Sequence, residues 1–239
     1  MSAPSRRSCH RGWRSTGSGR YATAAARSSA RCALRLEALD AVSASLVRLA
    51  ATIAAGTEAE VRAAMAAALA AGVPTIWVDE LLLQSYLFSG FPRALNAARE
   101  WRRLSPTAAP SERASNPDDA EAWLARGEAT CAAVYGDMYE KLRRNVFDLH
   151  PALDAVMVMD GYGKVLGRPG LDLPRRELCI VAACAVTGQD RQLHSHLHGA
   201  LNVGVAPAAL QETIAALAPT LGPDRTRSVG LLLARVVGK

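Results

Sequence analysis

The chain has 239 residues, half of them hydrophobic, with 28 Lys and Arg against 22 Asp and Glu and a formal charge of +6, enough apolar material for a substantial core. Eight of the basic residues, Arg6 to Arg35, precede the first acid, Glu37, so the rest of the chain is nearly neutral, which argues against a nucleic-acid surface on the folded body. Arg48, Glu58 and Arg62 interrupt the alanine-rich region before it reaches the ~18 uncharged apolar residues of a membrane span, and no two of the five cysteines stand three apart as a redox or zinc motif requires.

Residues 1–35, rich in Arg, Ser, Gly and Ala, read as a disordered extension, with an acid-free transit peptide for mitochondria as the alternative. The expected location of the protein is the cytoplasm. Residues 36–104 read as the first of two copies of one helical repeat. Ala68-Leu69-Ala70-Ala71-Gly72-Val73 lies against Ala200-Leu201-Asn202-Val203-Gly204-Val205 at an offset of 132. At the same offset Leu39-Asp40 meets Leu171-Asp172, Leu46 meets Leu178, Gly56 meets Gly188 and Val61 meets Leu193.

Each copy is expected as helix, turn, helix, glycine stop, helix. In the first, Gly56-Thr57 divides the first two helices, Gly72 and Pro74 the next two, and a helix over about 76–89 ends at Gly90-Phe91-Pro92. Residues 105–159 connect the copies: a Pro-, Ser- and Asn-rich linker over 105–119, then helical pieces over about 118–134, 139–147 and 153–159. The apolar run 155–159 fits a strand or a buried helix turn equally well. Gly161-Tyr162-Gly163 and residues 167–170 are expected as a loop that opens the second copy, 160–239. There Asp172 caps a helix with Pro174 in its first turn, residues 187–190 end it, the next helix stops at Gly204, and Pro207 opens another. The expected class is all-α, a tandem internal repeat of helical hairpins.

Successive helical residues advance by about 100°, so those at i, i+3, i+4 and i+7 share a face. On the helix after Pro174, Glu177 shares its face with Ile180, Val181 and Cys184; on the next, His196 lies with Leu193 and Ala200 while His194 and His198 lean away. An antiparallel pair brings Glu177 and His196 together in one partly buried site, as an acid–base couple or as a structural hydrogen bond. Arg175, Arg176 and Arg191 flank it and suit an anionic group, or are solvated helix-end charges. Tyr162 offers a phenol on a glycine-bounded segment, or simple packing. In His194-Ser195-His196-Leu197-His198 only the outer two histidines share a helical face, and no carboxyl group stands at a companion spacing, so no metal is expected. Cys179 and Cys184 sit in an apolar run as small buried hydrophobes.

The segments Arg168-Pro169-Gly170-Leu171-Asp172-Leu173, Arg176-Glu177-Leu178 and Gln192-Leu193-His194-Ser195-His196-Leu197-His198-Gly199-Ala200-Leu201-Asn202-Val203-Gly204 resemble the carboxymuconolactone decarboxylase family. Tyr86-Leu87-Phe88-Ser89-Gly90-Phe91-Pro92-Arg93-Ala94-Leu95-Asn96 looks like the trailing helix of the same pattern, and the resemblance covers about 39–101 and 160–217. It implies an all-α alkylhydroperoxidase D-like fold assembled into homo-oligomers. It also implies one of two activities, decarboxylation of carboxymuconolactone or a peroxidase built on Cys-x-x-Cys with a supporting Glu and His. Counted back from Gly204, the supporting pair falls on Glu177 and His196, but the two cysteine positions fall on Gln189 and Gln192, which supply no thiolate. The first copy carries Ser45 and Ala64 where the second has the pair.

The function expected is therefore a cofactor-free acid–base lyase acting on a small anionic lactone or carboxylate, with Glu177 and His196 handling the proton and Arg175, Arg176, Arg191 and Tyr162 meeting the substrate. A non-catalytic binding or assembly module of the same fold is the alternative. A peroxidase working through Cys179 or Cys184 is a third, disfavoured reading.

Overall fold

The computed structural model describes residues 35–111 and 119–238. The expected extension, apart from Arg35, and residues 112–118 of the linker lie outside the described residues. Helix α1 (Ala41–Ala55) begins at Asp40, whose side chain accepts the Ser43 amide at 2.7 Å. Helix α2 (Glu58–Ala70) begins with a capping box, in which Thr57 and Glu60 each accept the other's backbone N–H; both devices satisfy donors that a helix start leaves orphaned. Helices α3 (Thr75–Ser89) and α4 (Phe91–Leu104) form a hairpin about Gly90, at φ 84°. After the linker come α5 (Ala120–Tyr135), a 3₁₀ turn (Gly136–Met138), α6 (Tyr139–Leu149), the short α7 (Pro151–Ala155) and a π-helical segment (Val156–Leu166). The second copy follows as α8 (Leu173–Thr187), α9 (Asp190–Asn202) and α10 (Pro207–Val237). α10 is broken at Gly222, whose φ is 73°.

The repeat is written into the helix boundaries. α1, α2 and α3 start at 41, 58 and 75, while α8, α9 and α10 start at 173, 190 and 207, each pair separated by the same 132 residues. Asp172 caps α8 by accepting the Arg175 amide at 3.0 Å, as Asp40 caps α1. The equivalent helices α1 and α8 pack against each other at the centre, with eleven of α8's residues buried. No β-strand occurs among the described residues; one isolated bridge pairs Leu36 with Val205. Nor, among them, is any helix long and apolar enough to cross a membrane. The ambiguous run 155–159 is helical.

A polar network crosses this core. Arg176 is fully buried and its guanidinium donates to Glu80 at 2.7 Å, Gln84 at 3.2 Å, and the carbonyls of Leu171 and Arg168 at 3.0 and 3.2 Å. Glu80 also accepts from Arg168 at 3.1 Å, and Gln84 donates to the Arg176 carbonyl at 3.3 Å. The network joins α3 of the first copy to α8 of the second, and its buried charges have the partners and further hydrogen bonds that make burial tolerable.

One expectation is overturned here. Gly161-Tyr162-Gly163 is not part of a loop; it lies inside the π-helical segment and is buried. The physical reason is a backbone-to-backbone crossing with α5. A Cβ on Gly163 would lie 2.2 Å from the Trp123 carbonyl oxygen, and one on Gly127 would lie 2.1 Å from that of Val158. The two glycines let the helices touch where any larger residue would part them, and Arg126 donates to the Gly163 carbonyl at 2.6 Å. Gly163→Ala is therefore expected to cost about 2–3 kcal/mol, read as a lower urea midpoint.

Candidate acid–base site

α8 and α9 are joined by Gly188 and Gln189, with Gly188 in the left-handed region at φ 72°. This tight reversal lays the two apolar faces together and carries a polar residue from each into the interface. Glu177 is 0% and His196 4% exposed, and Oε2 of Glu177 stands 2.8 Å from Nδ1 of His196. With Nδ1 engaged by the carboxyl group, Nε2 is the ring nitrogen available to take up or give up a proton. Gly199, one turn on in α9, keeps the space open: a Cβ there would sit 2.9 Å from Glu177 Oε2 and 2.7 Å from Val134 Cγ1. The other carboxyl oxygen, Oε1, is buried without a hydrogen-bond partner, an arrangement costly enough to require an explanation in function or bound solvent.

Aromatic rings enclose the pair. Phe88 from α3 meets the His196 ring edge-on at 5.4 Å between centroids, and Tyr135 from the end of α5 does so at 6.3 Å. Tyr135 in turn packs edge-on against Tyr162 at 6.2 Å between centroids. Burial pushes both phenols well above their ordinary value, so they persist as neutral hydroxyls. Tyr162 thus reaches the neighbourhood of the pair from the buried side, through Tyr135. Neither Phe88 nor Tyr135 emerges from the sequence as a site residue. Tyr135 had a signal, since it follows Gly127 and Cys131 at helical spacing on the buried face of α5.

The arginines expected beside the pair take up different positions. Arg176 is the hub of the buried network described above. Arg175 spans the two N-terminal caps: it donates to Asp172 at 2.7 Å, Ser43 at 2.8 Å and Asp40 at 3.2 Å, and stacks 4.5 Å from the Trp77 ring centre. Arg191 is exposed on the first turn of α9. His194 and His198 stand together at 4.8 Å between ring centroids, on a different face from His196.

The peroxidase reading meets an obstacle in its thiols. Cys179 and Cys184 are 1% and 3% exposed, and burial pushes both up to about 12, as it does Cys131. A buried neutral thiol is neither a nucleophile nor accessible to peroxide. Iodoacetamide at pH 8 is expected to leave all three unmodified in the native protein and to label them in urea, as read by peptide mass spectrometry. Because these folded values lie above the ordinary thiol value of 9.0, they favour the fold fully below pH 9 and lose that contribution as pH rises towards about 12. The urea midpoint should accordingly fall across that window.

Two comparisons with known proteins bear on this arrangement. "Peroxisomal protein 2" of Schizosaccharomyces pombe is 31% identical over 134 residues, a match covering 55% of this chain and 63% of that protein, so the chain spans a little under two thirds of its relative's length. The family model of the carboxymuconolactone decarboxylase family matches residues 22–103 and 137–234, one region over each copy of the repeat. An all-helical, alkylhydroperoxidase D-like fold in two tandem copies is what such a double match requires, and the chain belongs to the carboxymuconolactone decarboxylase family.

Proposed function

We propose that the protein is a cofactor-free acid–base lyase that decarboxylates a small anionic lactone of the carboxymuconolactone type, with Glu177 and His196 as its proton-handling pair. The single observation that carries this reading is the buried 2.8 Å contact between the two side chains within an aromatic enclosure. Loss of carbon dioxide breaks one carbon–carbon bond and leaves its electron pair in the unsaturated lactone as an enolate. One proton must then return to carbon. His196, protonated at Nε2 and held through Nδ1 by Glu177, delivers it; the ring takes a proton back from water at the end of the cycle. Exclusion of bulk water by Phe88 and Tyr135 strengthens the electrostatic hold on the enolate.

Of the three arginines, Arg191 is the one on the surface, and the proposal keeps it as the residue that meets an incoming carboxylate. Arg175 and Arg176 act on the substrate only indirectly, by fixing the start of α8, from which Glu177 projects. Tyr162 supports the enclosure by holding Tyr135. In the first copy the equivalent positions, Ser45 and Ala64, carry no pair, so that half lends the site the Phe88 wall and no acid–base couple.

The test is a carbon dioxide release assay on purified protein with 4-carboxymuconolactone, beside a peroxide-consumption assay with a dithiol reductant. Release that depends on His196 supports the lyase. Peroxide consumption without carbon dioxide release refutes it.

The exposed apolar residues Phe147, Leu149, Leu153 and Val156 support assembly into a homo-oligomer, which sedimentation velocity would reveal. The cytoplasm is the proposed location. The relative's printed name makes the peroxisome the competing one, and imaging of a fluorescent fusion decides between them.

A further inference from the structure

His196 is nearly sealed, yet a cleft of about 550 Å³ opens one residue layer away, between the end of α5, the 3₁₀ turn, α6 and α9. Its size is that of a small-molecule site. Val134, Met138 and Leu142 give it an apolar side, and Lys141, Asn145 and Asn202 a polar one. Tyr135 is the residue common to both places: it lines the cleft and also packs edge-on against the His196 ring. It is half-buried, whereas Tyr162, against whose ring it packs, is buried within the π-helical segment. Its position on the backbone suits movement. Tyr135 is the last residue of α5, and Gly136 after it takes φ 52°, a conformation reserved for residues without a Cβ. Immediately before it, the Val134 carbonyl is pinned by Asn202, which donates at 2.8 Å and anchors the helix end.

We infer that this cleft is the mouth of the Glu177–His196 site and that Tyr135 is its gate. A small carboxylic acid derivative with an apolar body is the class of molecule that the lining accepts: the apolar side takes the body, and Lys141 with the two asparagines takes the polar end. Asp137 stands on the same lining and opposes a second negative group, which favours a ligand with its charge at one end. The inference rests on His196 being the reactive residue, but access to the ring is measured without turnover.

The experiment is site-resolved modification of the full chain by diethyl pyrocarbonate, which acylates an unprotonated imidazole nitrogen, followed by peptide mass spectrometry. In the native protein His150, exposed and outside the cleft, serves as the internal reference, and His196 is slow. Tyr135→Ala is expected to speed His196 at least tenfold with the His150 rate unchanged. Tyr135→Leu, which keeps an apolar side chain in place but shortens the gate, should speed it several-fold. Phe88→Ala opens the opposite wall and should leave His196 slow. If Tyr135→Ala accelerates His150 and His196 together, the fold has been lost and Tyr135→Leu decides. A His196 rate unchanged in Tyr135→Leu, or raised by Phe88→Ala and not by Tyr135→Ala, overturns the gate. A silent turnover assay combined with the expected modification pattern leaves the mouth in place and removes only the lyase reading.

Discussion

His196→Gln is expected to lower carbon dioxide release by roughly 100- to 10,000-fold, the range that a positioned general acid or base contributes, with little change in the urea midpoint. Glutamine retains an N–H that reaches Glu177, so the buried carboxyl group keeps a donor, while the group that carries the proton to carbon is gone. Glu177→Gln makes the complementary change. Its amide oxygen still accepts from Nδ1, the ring stays oriented, and only the charge that stabilises a protonated imidazole is lost. A fall on the order of 100-fold in kcat with KM nearly unchanged is the expected signature, because the interaction matters most in the transition state. The opposite pattern, in which both variants keep full turnover and lose stability, would make the contact a structural clasp and return the protein to the class of binding or assembly modules.

Arg176→Met is expected to be the most destabilising single change in the described core, at about 3–5 kcal/mol, since it strands the Glu80 carboxyl group without its shortest partner in a buried setting. Arg168 still reaches Glu80 at 3.1 Å and will absorb part of that loss. Pairing Arg176→Met with Glu80→Gln should recover a substantial share, because the uncompensated charge disappears along with its partner. Chemical denaturation of the two single variants and the double variant gives the coupling directly. A double variant no better than Arg176→Met alone would mean that packing of the long side chain, rather than charge, is what the site supplies.

Periodicity and punctuation made most of the architecture legible. The offset of 132 residues seen in Gly56 and Gly188, and in Leu39-Asp40 and Leu171-Asp172, reappears in the starts of three pairs of helices. The inward phase of Glu177 and His196 followed from apolar neighbours one turn away, and the structure brings their side chains to 2.8 Å. What stayed hidden depended on contacts between distant segments. Gly161-Tyr162-Gly163 carries the composition of a turn, and only the crossing with α5 at Gly127 makes it helical. Arg176 reads as a solvated helix-end charge until Glu80 and Gln84, some ninety residues earlier in the chain, arrive to bury it. Tyr135 belongs to neither copy of the repeat, so the repeat pointed away from it.

The caps of α1 and α8 occupy matching places in the two copies, yet Ser43 stands where Arg175 does, and the arginine reaches across to Ser43 and Asp40. Two identical chains meeting about a two-fold axis would place arginine against arginine or serine against serine at that point. Covalent fusion frees each half to specialise, giving a heterodimer's complementary contact without a second gene product. It also makes docking of the halves an intramolecular event, so this pairing should not come apart on dilution as a dimer's would.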